Sequence, residues 1–306
     1  MSDANSNKIL ITGASGLVGK RLTELLLAQG FEVNTLGRKP QRNEKHVKHF
    51  VWNVEKQTID EKALDGVKAI VHLAGAGVAD ERWTATRKKE ILESRINSAR
   101  LLFQTLSSIP HSVECVVSAS AVGYYGDAGA VVLKENAPPA KTFLADVCVQ
   151  WEQAISAFSK LNIREVRLRI GIVLAKNGGA LPELSKTIPL GIAGYFSKHP
   201  LFYPWIHIDD VCGIFIHAIK NNSVSGAYNT TAPKPLELKD LMSSIVKGMG
   251  KKALLVPAPP FALKLAMGEM AEMLLSSQNC SAEKIEQSGY RFLFKDAAEA
   301  VKNLVG

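Results

Sequence analysis

The run Thr12-Gly13-Ala14-Ser15-Gly16-Leu17-Val18-Gly19 constrains this chain more than any other stretch. It follows the apolar Ile9-Leu10-Ile11 and opens an apolar-periodic segment, so it reads as a strand, a tight turn and a helix. Gly13 permits the turn, Gly16 lets a diphosphate come up to the backbone, and Gly19 lets the helix pack closely on the strand. A helix starting there turns its N–H groups and partial positive charge toward phosphate. The spacing predicts a dinucleotide site built from Gly13, Ser15, Gly16, Leu17, Val18 and Gly19. A turn that simply uses small residues is the competing reading.

The next strand, Phe31 to Leu36, ends at Gly37-Arg38-Lys39-Pro40, where an NAD site would often place a carboxylate for the ribose hydroxyls. A guanidinium at Arg38 can hold a 2′-phosphate with its fork of donors, whereas a carboxylate would repel it. The cofactor expected is therefore NADP. Against this stands a solvated basic loop of Arg38, Lys39, Arg42, Lys45 and Lys48.

Strands alternate with helices through Phe50 to Trp52, Ala69 to Gly75, a helix from Thr84 to Ser108, Val113 to Ser118, a helix from Phe143 to Ser159, and Arg164 to Ile170. Such alternation predicts an α/β fold, a doubly wound Rossmann parallel sheet with right-handed crossovers. Beyond Leu174 the chain breaks into short pieces at Gly178-Gly179, Pro182, Pro189, Gly191 and Gly194. The expected division is a Rossmann domain over 1–174 and a smaller C-terminal α+β substrate lobe over 175–306, with a return to the sheet around 205–230. Further helices are expected at Asp209 to Lys220, Leu238 to Gly248 and Phe261 to Ser276. The last carries Leu263, Leu265, Met267, Met270, Met273 and Leu274, read as a core face with a partner-binding face as the alternative.

Charge and cysteines narrow the partners. With 37 Lys and Arg against 29 Asp and Glu the chain carries +8, and its basic residues are scattered without interleaved aromatics, which favours an anionic small molecule over nucleic acid. Cys115, Cys148, Cys212 and Cys280 lie too far apart in sequence for a zinc cluster or a redox dithiol, and no His, Asp or Glu stands at convincing ligand spacing, so no metal is expected. The polar start Met1-Ser2-Asp3-Ala4-Asn5-Ser6-Asn7 has no apolar signal core, and no run reaches membrane-spanning length. The expectation is a soluble, cytoplasmic protein, bound to neither membrane nor nucleic acid, with a homodimer left open.

Several further blocks join the glycine turn: His72-Leu73-Ala74-Gly75, Arg82-Trp83-Thr84, Glu93-Ser94-Arg95, Ser118 to Gly126, Phe143-Leu144-Ala145, Trp151-Glu152, Arg169 to Leu174, Gly178-Gly179-Ala180 and Trp205 to Asp210. Together they resemble the short-chain dehydrogenase/reductase superfamily in its extended, epimerase-like form. Within it, the chain looks like the atypical branch often labelled sugar-nucleotide epimerase-like or cell-division-inhibitor-like. Gly268-Glu269 and Gly289-Tyr290-Arg291-Phe292 are similar to that branch's terminal domain.

The resemblance implies that Leu73, Ala74 and Gly75 border the cofactor and that Glu90 and Arg95 lie on the cofactor side of their helix; an ordinary solvated charge pair is the alternative for these two. It also implies a Tyr that transfers a proton and a Lys four residues later that lowers the tyrosine pKa and holds the ribose. Aligned through Glu152, this chain has Leu144 and Cys148 there, and Ser94 in place of the helix Asn. Of the expected machinery Ser120 survives, with Ser118 as a second candidate. Tyr124 or Tyr125 is the candidate acid, against the reading that both only line the pocket. His207 is expected in the pocket wall, with Asp209 capping the following helix. The function expected is an NADP(H)-binding oxidoreductase or epimerase-like protein acting on a small polar or nucleotide-linked substrate, the alternative being a non-catalytic NADP-dependent binding or regulatory protein.

Overall fold

In the computed structural model residues 7–306 are described, so the reading of the polar start falls outside them up to residue 6. The apolar runs at the front of the chain become parallel strands: β1 (Lys8–Thr12), β2 (Glu32–Gly37), β3 (Val47–Asn53), β5 (Val67–His72) and β6 (Cys115–Ala121), with a short antiparallel β4 (Thr58–Ile59) beside β3. The sheet runs Gly226–Thr230, Arg164–Ile170, β6, β5, β1, β2, β3, β4. β2 lies on one side of β1 and β5 on the other, so the strand order reverses at β1, where such sheets bind their ligands at the carboxyl ends. The register aligns Leu36, Thr12, His72 and Ser118 across four strands.

Helix α1 (Leu17–Ala28) follows the glycine turn, and α2 (Ala85–Ser108) starts where Thr84 accepts a hydrogen bond from the Arg87 amide. Helix α3 (Phe143–Ser156) ends earlier than expected and passes into a tighter turn, Ala157–Leu161. β6 extends to Ala121, three residues past the expected end, which puts Ser118 and Ser120 on one strand face. Leu10, Leu36, Ile70, Leu102, Val116, Ile155 and Phe158 form the core between sheet and helices.

The chain divides into two compact units, both discontinuous. The first comprises the chain up to Ser120, Val147–Leu168 and Cys212–Ala227; the second comprises Ala121–Asp146, Arg169–Val211 and Tyr228–Gly306. A single cut at residue 174 does not describe this, because the chain crosses between the units repeatedly. In the second unit a three-stranded sheet centres on Ile172–Ala175, flanked by Gly178–Gly179 and Trp205–His207. Three two-stranded pairs accompany it, and the helices Leu238–Gly248 and Ala297–Val305 pack against each other.

The expected helix from Phe261 to Ser276 is corrected. Gly268, at φ +60, breaks it into Pro260–Met267 and Ala271–Leu275. Met270 and Leu275 are buried, but Leu265 is 85% and Phe261 70% exposed, so the run does not form a single core face.

Candidate functional site

At the end of β1 the backbone itself makes the cradle. Gly13 takes φ +71 and its carbonyl accepts the Gly16 amide at 3.0 Å. A Cβ on Gly13 would meet the Leu73 carbonyl carbon at 2.9 Å, and one on Gly19 would overlap the Gly13 carbonyl oxygen. The role of Gly19 is thus to seat the first turn of α1 on the glycine turn itself. Ser15 and Gly16 are exposed, Leu17 and Val18 half-buried. No side chain caps α1 at Gly16 and no carboxylate lies in its first turn, so its leading amides keep their attraction for an anion. Arg38 is exposed just past the end of β2.

The loop after β5 is tied down from two sides. Thr12 Oγ1 accepts the Leu73 and Ala74 amides, each at 3.2 Å, and lies 2.9 Å from His72 Nδ1. On the far side of the ring, Ser98 Oγ is 3.2 Å from Nε2 and itself donates to Ser94 O at 2.7 Å. With two amides donating to Thr12, its hydroxyl proton goes to Nδ1, and Nε2–H donates to Ser98. His72 is fully buried, and burial pulls its pKa down to about 4, so this ring is neutral.

From α2, Ser94 Oγ accepts the Ala76 amide at 3.0 Å, and Arg95 Nη1 donates to Ala76 O at 3.0 Å. Glu90 and Arg95 are not brought together. The Glu90 carboxylate pairs with Arg87 at 2.7 Å, while Arg95 turns to the Gly75-Ala76 loop, so the two do not form an ordinary solvated charge pair with each other. Arg87, which the sequence reading passed over, is 8% exposed and donates to Gly77 O at 2.7 Å, with Asp80 at 3.5 Å.

At the end of β6, Ser120 Oγ donates to Glu152 Oε1 at 2.7 Å, both residues being buried. Ser118 is sealed at 0% exposure and donates within the backbone to Ala119 O. Leu144, Cys148 and Glu152 follow at four-residue spacing along α3. Leu144 packs at Gly123, where a Cβ would stand 3.4 Å from it.

In the second unit the two adjacent tyrosines separate in role. Tyr125 is buried; its hydroxyl donates to Asn229 Oδ1 at 2.7 Å and accepts from Arg169 at 2.9 Å. Burial raises its pKa well above the usual phenol value, against the pull of Arg169. Tyr124 is half-buried, with the Arg169 guanidinium 3.5 Å over its ring. Of the two, Tyr124 keeps the candidate role.

His207 stacks on Phe294 at 3.9 Å, and its Nδ1 accepts the Asp209 amide at the start of the helix Ile208–Lys220. Asp210 holds the C-terminal segment: its carboxylate accepts from Tyr290 at 2.9 Å, Leu293 N at 2.8 Å and Phe294 N at 3.0 Å. Sequence spacing gave no hint of Asp210's partners, which lie about eighty residues away. Among the described residues no cluster of three His, Cys, Asp or Glu could hold a metal ion, and no helix is long and apolar enough to cross a membrane.

Residues 9–230 match the NAD dependent epimerase/dehydratase family, and 258–304 match a domain of unknown function, DUF1731. The chain is 32% identical over 302 residues to the chloroplastic Epimerase family protein SDR39U1 homolog of Arabidopsis thaliana, covering 97% of this chain and 86% of that protein. It is 30% identical over 305 residues to the Epimerase family protein SDR39U1 of Homo sapiens, covering 97% and 99%. The crystal structure of human SDR39U1 (isoform2) with NADPH matches with a TM-score of 0.86 at 28% identity, covering 97% of this chain and 99% of that one. A nucleoside-diphosphate sugar epimerase from Corynebacterium glutamicum matches at 0.79 and 29%, over all of this chain and 59% of that one.

Proposed function

This chain belongs to the NAD dependent epimerase/dehydratase family, in the atypical extended branch of the short-chain dehydrogenases, and from that premise we propose that it binds NADP(H) and acts as an oxidoreductase or epimerase-like enzyme on a small polar or nucleotide-linked substrate. The observation that carries the reading is the cradle at Gly13 to Gly19, where side chains are excluded by backbone atoms and the leading amides of α1 have no side-chain cap. That is a site fitted to a diphosphate. Gly13, Ser15, Gly16, Leu17, Val18 and Gly19 hold it, Leu73, Ala74 and Gly75 border it from the end of β5, and Arg38 takes the 2′-phosphate. Glu90, paired with Arg87, and Arg95 serve the cofactor from α2.

When bound, the nicotinamide supplies or accepts a hydride. The chain's own part is proton handling and orientation. Tyr124 gives or takes a proton at Oη, and Ser120, with its hydroxyl fixed by Glu152, offers its oxygen lone pairs to orient a donor group of the substrate. Neither Leu144 nor Cys148 can do the work of a Tyr and Lys pair.

One observation favours a second reading. Ser120's only proton is already committed to a buried carboxylate, as expected of a protein that binds NADP(H) to arrange a surface for a partner and moves no hydride. Titrating NADPH and NADH into the wild type and Arg38→Ala tests the cofactor: NADPH affinity falls roughly tenfold or more in the variant while NADH affinity stays unchanged. Equal loss for both would sink the NADP assignment. Nicotinamide absorbance followed over a panel of carbonyl and sugar-nucleotide compounds separates the two readings, since the binding protein turns none over.

A further inference from the structure

The strands Ile192–Phe196 and Leu254–Ala258 pair in parallel as a two-stranded ribbon, with no third strand beside them among the described residues. Successive side chains of a strand point to opposite faces, so the register of Ile192 with Leu254, Ala193 with Leu255 and Gly194 with Val256 sorts them. Ala193 is fully buried and Leu255 half-buried, on the face against which the helix Leu238–Gly248 packs. Ile192, Leu254 and Val256 lie exposed on the other face, Leu254 at 72%, and a Cβ on Gly194 beside them would meet nothing within 4 Å. The outward face is aliphatic and uncovered.

The same character continues at both ends of the ribbon. Leu190, just before the first strand, is 79% exposed. The helix Pro260–Met267 starts two residues past the second strand and has no buried residue; its exposed Phe261 and Leu265 stand one turn apart on one face. Together these six side chains offer on the order of 800 Å² of apolar surface, more than a monomer usually leaves uncovered and about the share one partner brings to a standard-size interface. Charge also allows two such faces to meet. With the strands antiparallel across a two-fold axis, Lys251 and Lys252 of the two copies fall at opposite ends of the contact. A five-residue strand, roughly 16 Å, then separates them, which exceeds the screening length of about 10 Å.

We propose that this face is a two-fold contact between two copies of the chain, in which Leu190, Ile192, Leu254, Val256, Phe261 and Leu265 of one copy pack on the same residues of the other. The contact is isologous, so one apolar patch covers itself and the assembly closes as a dimer. It needs neither a bound cofactor nor turnover. It also explains why the run beyond Phe261 has the apolar content of a core helix while its first half stays in water in the single chain.

The test is sedimentation velocity on the full chain at concentrations of about 1 to 100 μM. Leu254→Glu and Leu265→Glu each place a carboxylate on the face at a position that is mostly solvated in the single chain, and circular dichroism checks that both variants fold. Val51→Glu, on β3 in the first unit, is the control for adding a surface charge elsewhere. The expected result is a dimeric wild type and control, with self-association weakened roughly a hundredfold or more in the two face variants, because their carboxylates must lose water on dimerising. A wild type that is monomeric throughout overturns the inference, as does a dimer equally strong in both face variants, whose contact then lies elsewhere. A monomeric wild type that pellets with phosphatidylglycerol vesicles, and stops doing so in Leu254→Glu, assigns the face to an anionic lipid surface and overturns the second-copy contact.

Discussion

Thr12 and His72 stand side by side in the β1 and β5 ladder, with Oγ1 and Nδ1 2.9 Å apart. The bond couples a neutral imidazole to the strand end that carries the glycine turn. Its pH consequence follows from the His72 pKa of about 4 against an ordinary 6.5. Between those values the unfolded chain binds more protons than the native one, so stability falls as pH drops from about 6.5 through 4. The full difference is about 3 kcal/mol. Urea unfolding at pH 7 and pH 4 in the wild type and His72→Gln checks it. The drop should be smaller in the variant by about that amount, and equal drops would show that His72 does not titrate this way.

Gly13 is expected to tolerate no side chain. Gly13→Ala places a Cβ at positive φ and 2.9 Å from the Leu73 carbonyl carbon, two backbone segments that cannot swing aside. The expected cost is about 2–4 kcal/mol from strain and overpacking together. Denaturation midpoints measure it, and NADPH titration should show weakened binding in whatever fraction folds. An alanine variant matching the wild type in both would mean the cradle is looser than its geometry implies.

The two tyrosines should part company on substitution. Tyr125→Phe removes the group between Asn229 and the buried Arg169, leaving both short of a partner, at a cost of about 1–3 kcal/mol. Tyr124→Phe keeps the ring under the guanidinium, so stability should change by less than about 0.5 kcal/mol. If Tyr124 is the acid, turnover is lost in that variant alone once a substrate is found. Unchanged turnover would remove Tyr124 from the chemistry.

Much of this architecture could be read locally. The turn after Ile11, the alternation of strand and helix as far as Ile170, and the absence of a Tyr and Lys pair on α3 depend on glycine backbone freedom, side-chain period and residue identity. Each is a property of a few neighbouring residues. The exceptions have physical causes. The run beyond Phe261 looks like one amphipathic helix, yet Gly268 takes a left-handed φ and the Phe261 face stays exposed, because burial depends on what lies opposite. Glu90 and Arg95 sit at a spacing that suggests partnership, but Arg87 claims the carboxylate.

The sequence by itself determined that a glycine turn opens a parallel α/β sheet and that α3 carries Leu144 and Cys148 at four-residue spacing, with no Tyr or Lys along it. Only the tertiary structure decided which polar groups are already engaged. His72 meets Thr12 and Ser98, Ser120 meets Glu152, Tyr125 meets Asn229 and Arg169, and Asp210 meets Tyr290, across separations of 26 to 104 residues. Whether a titratable side chain is free to react depends on burial and on its partners. Both are set by distant segments that the fold brings together, so neither has a signature in the local sequence.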